Sequence, residues 1–208
     1  MNVKKSKYNF IYYLPIIGVL IFTVLYVYAS FLYPGGSQAD INHQGFDWIN
    51  NYWCDLMGKE ARNEVSNPAY PFAIAATVVL GVSLAFFFYL LPIFIPINRF
   101  WNMGIRISGM TAMCFGILIF TPLHDVVIIS STLLSLVAII GLFVGLFKHQ
   151  FIIFIGAGVL CITLLIMNNY MYFITNQVTY LPFIQKITFA VVLIWIVSLQ
   201  LKFIQITQ

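Results

Sequence analysis

The side chains best suited to chemistry fall in two short stretches. One is GFDWINNYWCDLM, Gly45–Met57, with His43 just before it; the other is TPLHD, Thr121–Asp125. Together, His43, Asp47, Asn51 and Asp55 with His124 and Asp125 supply imidazole and carboxylate groups. Asp55, His124 and Asp125 are the candidate catalytic set, able to move a proton during hydrolysis or group transfer on a lipid. The same residue types ligate zinc, and bound zinc activates water. The spacing is unspecific, however: neither H-x-x-x-H nor H-E-x-x-H occurs, and Cys54, Cys114 and Cys161 lack metal-ligand spacing. No metal or cofactor is therefore expected. In the simpler reading Asp125 caps a helix, His124 bonds nearby backbone and the loop carboxylates are solvated.

Nearer pairings fare no better. Asp47 and Asp55 would lie about 12 Å apart along a helix, too far to share a proton. Ser131 and Ser135 lie beyond the reach of His124 on an unbroken helix and suit helix packing instead. The motif G-x-S-x-G is absent.

The rest of the chain limits where such groups could sit. Apolar residues make up 62% of the 208 positions and charged residues 8%, far too few charges for the surface of a water-soluble domain. A membrane crossing needs about 20 apolar residues. Six segments qualify: Phe10–Leu32, Pro68–Ile95, Gly104–Phe120, Pro122–Phe147, Phe151–Met167 and Pro182–Phe203. The expected class is an all-α integral membrane protein, one domain over 1–208, with six transmembrane helices in a bundle. The first segment is too long for a secretory h-region and reads as a retained anchor.

Basic residues are retained on the cytoplasmic side. Lys4, Lys5, Lys7, Arg99, Arg106, Lys148 and Lys202 fall on one side, and Lys59, Arg62 and Lys186 on the other. Both termini are then cytoplasmic, in the cell membrane. The net charge of +4 suits anionic lipid at the cytoplasmic rim and gives no argument for nucleic acid. The middles of the segments lack ionisable groups, which counts against ion-coupled transport.

The long connection 33–67 is expected to form a cap on the outer face. Tyr33-Pro34-Gly35-Gly36-Ser37 signals a turn. Phe46, Ile49, Tyr52, Trp53 and Leu56 recur at helical spacing opposite Asp47, Asn51, Cys54 and Asp55, which predicts a short interfacial helix ending near Gly58. Trp48, Asn51, Tyr52 and Trp53 are the candidate contacts to lipid or to a protein partner. Asn67-Pro68 marks the next helix start, and Thr121-Pro122 that of the fourth crossing. Gly104, Ser108, Ala112 and Gly116 make a small-residue stripe for close helix contact.

The order YPGGS-x-x-D, GFDWINNYWCDL, NPAYP and TPLHD resembles an uncharacterised group of six-helix prokaryotic membrane proteins. That group is similar in layout to the eukaryotic damage-regulated autophagy modulators and their relatives in lipid-anchor remodelling. Where it often has Ser-Asp-Leu-Gly, this chain has Cys54-Asp55-Leu56-Met57. The resemblance implies a protein connected with lipid or membrane state, and no established catalytic activity. The leading expectation is a lipid-associated or partner-binding membrane protein. The alternative is an intramembrane lipid hydrolase or transferase, with Asp55 brought to the Pro122–Asp125 turn beside His124.

Overall fold

The computed structural model describes residues 10–173 and 180–207, without the side chains of His124 and Phe173. Lys4, Lys5 and Lys7, used above to orient the chain, lie outside the described residues. Six α-helices follow in order: α1 Leu14–Leu32, α2 Tyr70–Phe94, α3 Arg99–Ile117, α4 His124–Lys148, α5 Ile152–Phe173 and α6 Leu181–Thr207. A 3-10 turn, Phe10–Tyr13, leads into α1. Among the described residues there is no strand, only the isolated bridges Gly35–Gln44 and Glu60–Ser66.

All six helices are long and apolar enough to cross a bilayer. Each also exposes large apolar side chains, including Phe31, Val82, Phe100, Leu133, Ile153 and Ile194. Such surfaces are stable in lipid, where backbone polar groups are satisfied within each helix. The chain is a multi-pass membrane protein of the all-α class.

Local chemistry moves several expected boundaries. α3 begins at Arg99, ahead of the expected Gly104, because the Asn98 side chain accepts from the Trp101 amide at 2.9 Å. α4 begins at His124 without a side-chain cap. Thr121 instead closes the 3-10 turn Leu118–Phe120, its hydroxyl donating to the Leu118 carbonyl at 2.8 Å. α5 continues to Phe173, beyond the expected Met167.

The chain divides into two compact units, and the divisions fall within α1, α2, α5 and α6. One contains Met1–Leu20, Val78–Gly156 and Trp195–Gln208. Its helices meet closely at glycines. A Cβ on Gly109 would come within 2.4 Å of Phe88, one on Gly141 within 2.5 Å of Ile105, and one on Gly81 within 2.3 Å of Ile117. The expected stripe on α3 is only partly used: Ser108 and Ala112 are buried, while a Cβ on Gly116 would meet nothing within 4 Å. Buried Gln200 donates from Nε2 to the Tyr12 carbonyl at 2.7 Å, while its Oε1 is buried without a hydrogen-bond partner.

The second unit contains Ile21–Thr77 and Ala157–Ile194. It carries the whole 33–67 connection together with segments of α1, α2, α5 and α6.

Candidate functional site

Asp55, Trp48, Asn51, Tyr52 and Trp53 all lie in the second unit, in the loop between α1 and α2. Gly35 and Gly36 shape its entry with φ of +143° and +81°. A side chain at Gly35 would press within 2.3 Å of the His43 carbonyl, and one at Gly36 within 2.5 Å of the Asn63 amide nitrogen. Only glycine allows this approach of backbone to backbone.

The expected helix over Phe46–Leu56 is replaced by a turn and a shorter 3-10 helix, Trp53–Met57, closed at Gly58. Asp47 explains the change. Its Oδ1 accepts from the amides of Ile49 and Asn50 at 2.9 and 3.1 Å, and its Oδ2 accepts from Asn50 Nδ2 at 2.7 Å. Short polar side chains that bond nearby amides in this way compete with helix formation. Burial works to raise the Asp47 pKa, but these hydrogen bonds outweigh it and hold the carboxyl below its ordinary value.

Asn51 is fully buried and bonded at every polar atom. Its Oδ1 accepts from the Asp47 amide at 2.8 Å, and its Nδ2 donates to the Gly36 carbonyl at 2.8 Å and to Asp55 Oδ2 at 2.9 Å. Its own amide donates to the Asp47 carbonyl at 2.9 Å. Its carbonyl accepts from Lys186 Nζ, which also donates to the Pro182 carbonyl at 3.1 Å and lies 5.5 Å from the centre of the Phe46 ring. Lys186 thus ties the loop to the start of α6 while buried.

Asp55 is similarly engaged. Oδ2 accepts from the Tyr52 amide at 2.8 Å as well as from Asn51. Arg62 Nε lies 2.9 Å away, off the N–H direction, so that contact is chiefly an ion pair. Burial works to lower the Arg62 pKa, yet the Asp55 contact and charge outweigh it and raise the value. Asn67 fastens the end of the loop: Nδ2 donates to the Gly58 and Leu56 carbonyls at 2.8 and 3.2 Å. Its Oδ1 accepts from the Ala69 amide at 3.0 Å in the turn ahead of α2, which begins at Tyr70 and not at the expected Pro68.

The aromatic residues form a second system. Ring contacts link Tyr33, Phe46, Trp48 and Trp53, and Trp53 reaches Tyr26, Phe22 and Phe189. Tyr52 is buried against Met171 and Leu181, with Cys54 and Ile184 beside them. Tyr52 Oη and Trp53 Nε1 are buried without a hydrogen-bond partner. Burial pushes the Tyr52 phenol up to about 12. Burial and the nearby Asp55 charge push the Cys54 thiol up to about 11.

Exposure separates the sequence candidates. Trp48 is 45% exposed and adjoining Ile49 57%, whereas Asn51 and Tyr52 are buried. Asp125 lies in the first turn of α4, and the side chain of His124 lies outside the described residues, as does the expected meeting of His124 with Asp55. Among the described residues no three His, Cys, Asp or Glu side chains are grouped to hold a metal ion.

Sequence reasoning missed Lys186 and Arg62 as parts of this cluster. Lys186 carried a signal, since a lysine just inside an apolar span calls for a nearby partner. No family model, curated protein or solved structure matches the chain.

Proposed function

We propose that this membrane protein associates with lipid through its 33–67 cap, with Trp48 and Ile49 entering the headgroup layer. The observation that carries this reading is the exposure of both side chains on a turn whose backbone is held by Asp47. Leaving that surface in water forgoes about 25 cal/mol for each Å² of apolar area that could be buried. Tryptophan favours the boundary between lipid and water. The aromatic contacts from Trp48 through Trp53 to Phe22 and Phe189 continue this apolar surface into segments of α1 and α6. The motif order that resembles lipid-connected membrane proteins supports the same reading.

The engagement of Asp55 favours binding over hydrolysis. Its Oδ2 is already taken by the Asn51 and Tyr52 donors with Arg62 beside it, so the carboxylate is used in holding the loop together. In this proposal the cap faces outward, both termini are cytoplasmic, and the membrane is the cell membrane. A reporter fused after Gln208 then reads as cytoplasmic; an exported reporter overturns that orientation.

Fluorescence quenching tests the lipid contact. Wild-type protein and Trp48→Phe are placed in vesicles of phosphatidylcholine brominated on its acyl chains. Subtracting the two signals should leave a component that bromine quenches and aqueous iodide barely reaches. A difference signal quenched only by iodide would overturn lipid contact and favour a soluble partner at this surface.

A further inference from the structure

At the junction of α2 and α3, in the unit that lacks the cap, lies a cavity of about 370 Å³. Its lining is Ile97, Asn98, Arg99, Asn102, Met103 and Arg106. Arg106 Nε donates to the Tyr89 carbonyl at 3.0 Å, and its guanidinium lies 5.1 Å from the centre of the Tyr89 ring. These contacts fix the side chain in place. Among the described residues, neither guanidinium at this cavity has a carboxylate partner. The neighbouring carbonyls are already engaged: Lys148 Nζ donates to those of Pro96 and Ile97 at 3.2 and 3.4 Å. A third positive charge therefore stands beside the cavity, again directed to backbone oxygens.

Two guanidinium groups around one open cavity, without a counter-charge, match a phosphate that accepts several hydrogen bonds at once. The surroundings indicate the source of that phosphate. Phe100, Met103 and Ile107 on α3 are 76%, 56% and 60% exposed, giving acyl chains an apolar surface beside the charged groups. Basic pockets beside transmembrane helices bind anionic headgroups in this way. We propose that this cavity binds the phosphate of an anionic phospholipid, its acyl chains running along the exposed side of α3. The site is independent of the cap and of the proposal made for it.

The full chain in detergent, titrated with phosphatidylglycerol and followed by native mass spectrometry, tests the assignment. Wild type should retain this lipid in preference to phosphatidylcholine. Arg99→Gln with Arg106→Gln should weaken retention about tenfold or more. Arg99→Gln alone should weaken it measurably without disturbing the Arg106–Tyr89 contact, which covers a folding defect in the double variant. Lys202→Gln, which removes one charge from α6, should retain the lipid as wild type does. Equal losses in Lys202→Gln and Arg99→Gln would overturn the site by reducing it to general charge attraction. Inorganic phosphate competing at equal concentration would overturn the lipid as its ligand.

Discussion

Asn51 Nδ2 and Asp55 Oδ2 meet at 2.9 Å inside the 33–67 loop, and each residue is also bonded to a different part of that loop. Asn51 reaches back to Gly36, and Asp55 pairs forward with Arg62. This joins three stretches of loop without a strand or a long helix. Asp55→Ala would leave the Tyr52 amide without its acceptor, Asn51 Nδ2 with only the Gly36 carbonyl, and the Arg62 guanidinium without its counter-charge. Breaking a buried pair costs about 3–5 kcal/mol, reduced here to about 2–3 because Arg62 retains solvent access. Arg62→Ala should cost less, since both hydrogen bonds to Asp55 remain. Thermal unfolding in detergent and protease cleavage between Ser37 and Ser66 would measure the order. An Asp55→Ala protein as stable and protease-resistant as wild type would remove this contact as the clasp.

The sequence made the spans legible because length and apolar content suffice to define a crossing. Gly35 and Gly36 were legible because backbone crowding admits no other residue. The helix expected over Phe46–Leu56 was not, since its apolar spacing was genuine and a side chain decided against it: Asp47 takes the Ile49 and Asn50 amides. Lys186 and Asn51 are 135 positions apart, and no local pattern connects them. Glycine contacts were anticipated on α3 but at other positions, because the stripe shows where small residues lie and not which neighbour approaches.

The Asp47 turn should make the 33–67 loop sensitive to acid. Its folded-state pKa lies below the ordinary 3.8, so the unfolded chain takes up the proton first as pH falls. The stabilisation is complete above the ordinary aspartate range and is lost as pH drops through the lowered folded value. The stability gap between wild type and Asp47→Asn should hold steady from about pH 7 to pH 5 and narrow below about pH 4. A gap of constant size in strong acid would mean that the charge of Asp47 does not hold the turn.

Cys54 should be a slow thiol. With its pKa pushed up to about 11, about one molecule in a thousand carries the thiolate at pH 8, and the thiolate is the reactive form. Alkylation by iodoacetamide, followed on the Cys54 peptide by mass spectrometry, should run at least about a hundredfold slower than on a free cysteine peptide. Asn67→Ala removes the side chain bonded to the Leu56 and Gly58 carbonyls and should speed the reaction by loosening the loop. Rapid labelling of wild-type Cys54 would show that the 33–67 loop opens readily.

Two glycines on α3 should respond oppositely to the same change. A Cβ at Gly109 would sit 2.4 Å from Phe88 Cγ and 2.7 Å from Phe88 Cβ. The ring cannot swing clear without moving its own Cβ, so α2 and α3 must separate locally. Overpacking of this kind costs about 1–3 kcal/mol. Lipid restores little of it, because helix association in membranes depends on close fit. At Gly116 the added methyl would meet nothing within 4 Å. There, alanine should gain part of the roughly 0.5–1 kcal/mol that glycine costs inside a helix, and less so near the helix end. Gly109→Ala should therefore melt below wild type in detergent and Gly116→Ala at or slightly above it. Matching melting temperatures for the two variants would show that Phe88 does not press on α3 at Gly109, and the close contact between these helices would have to lie elsewhere.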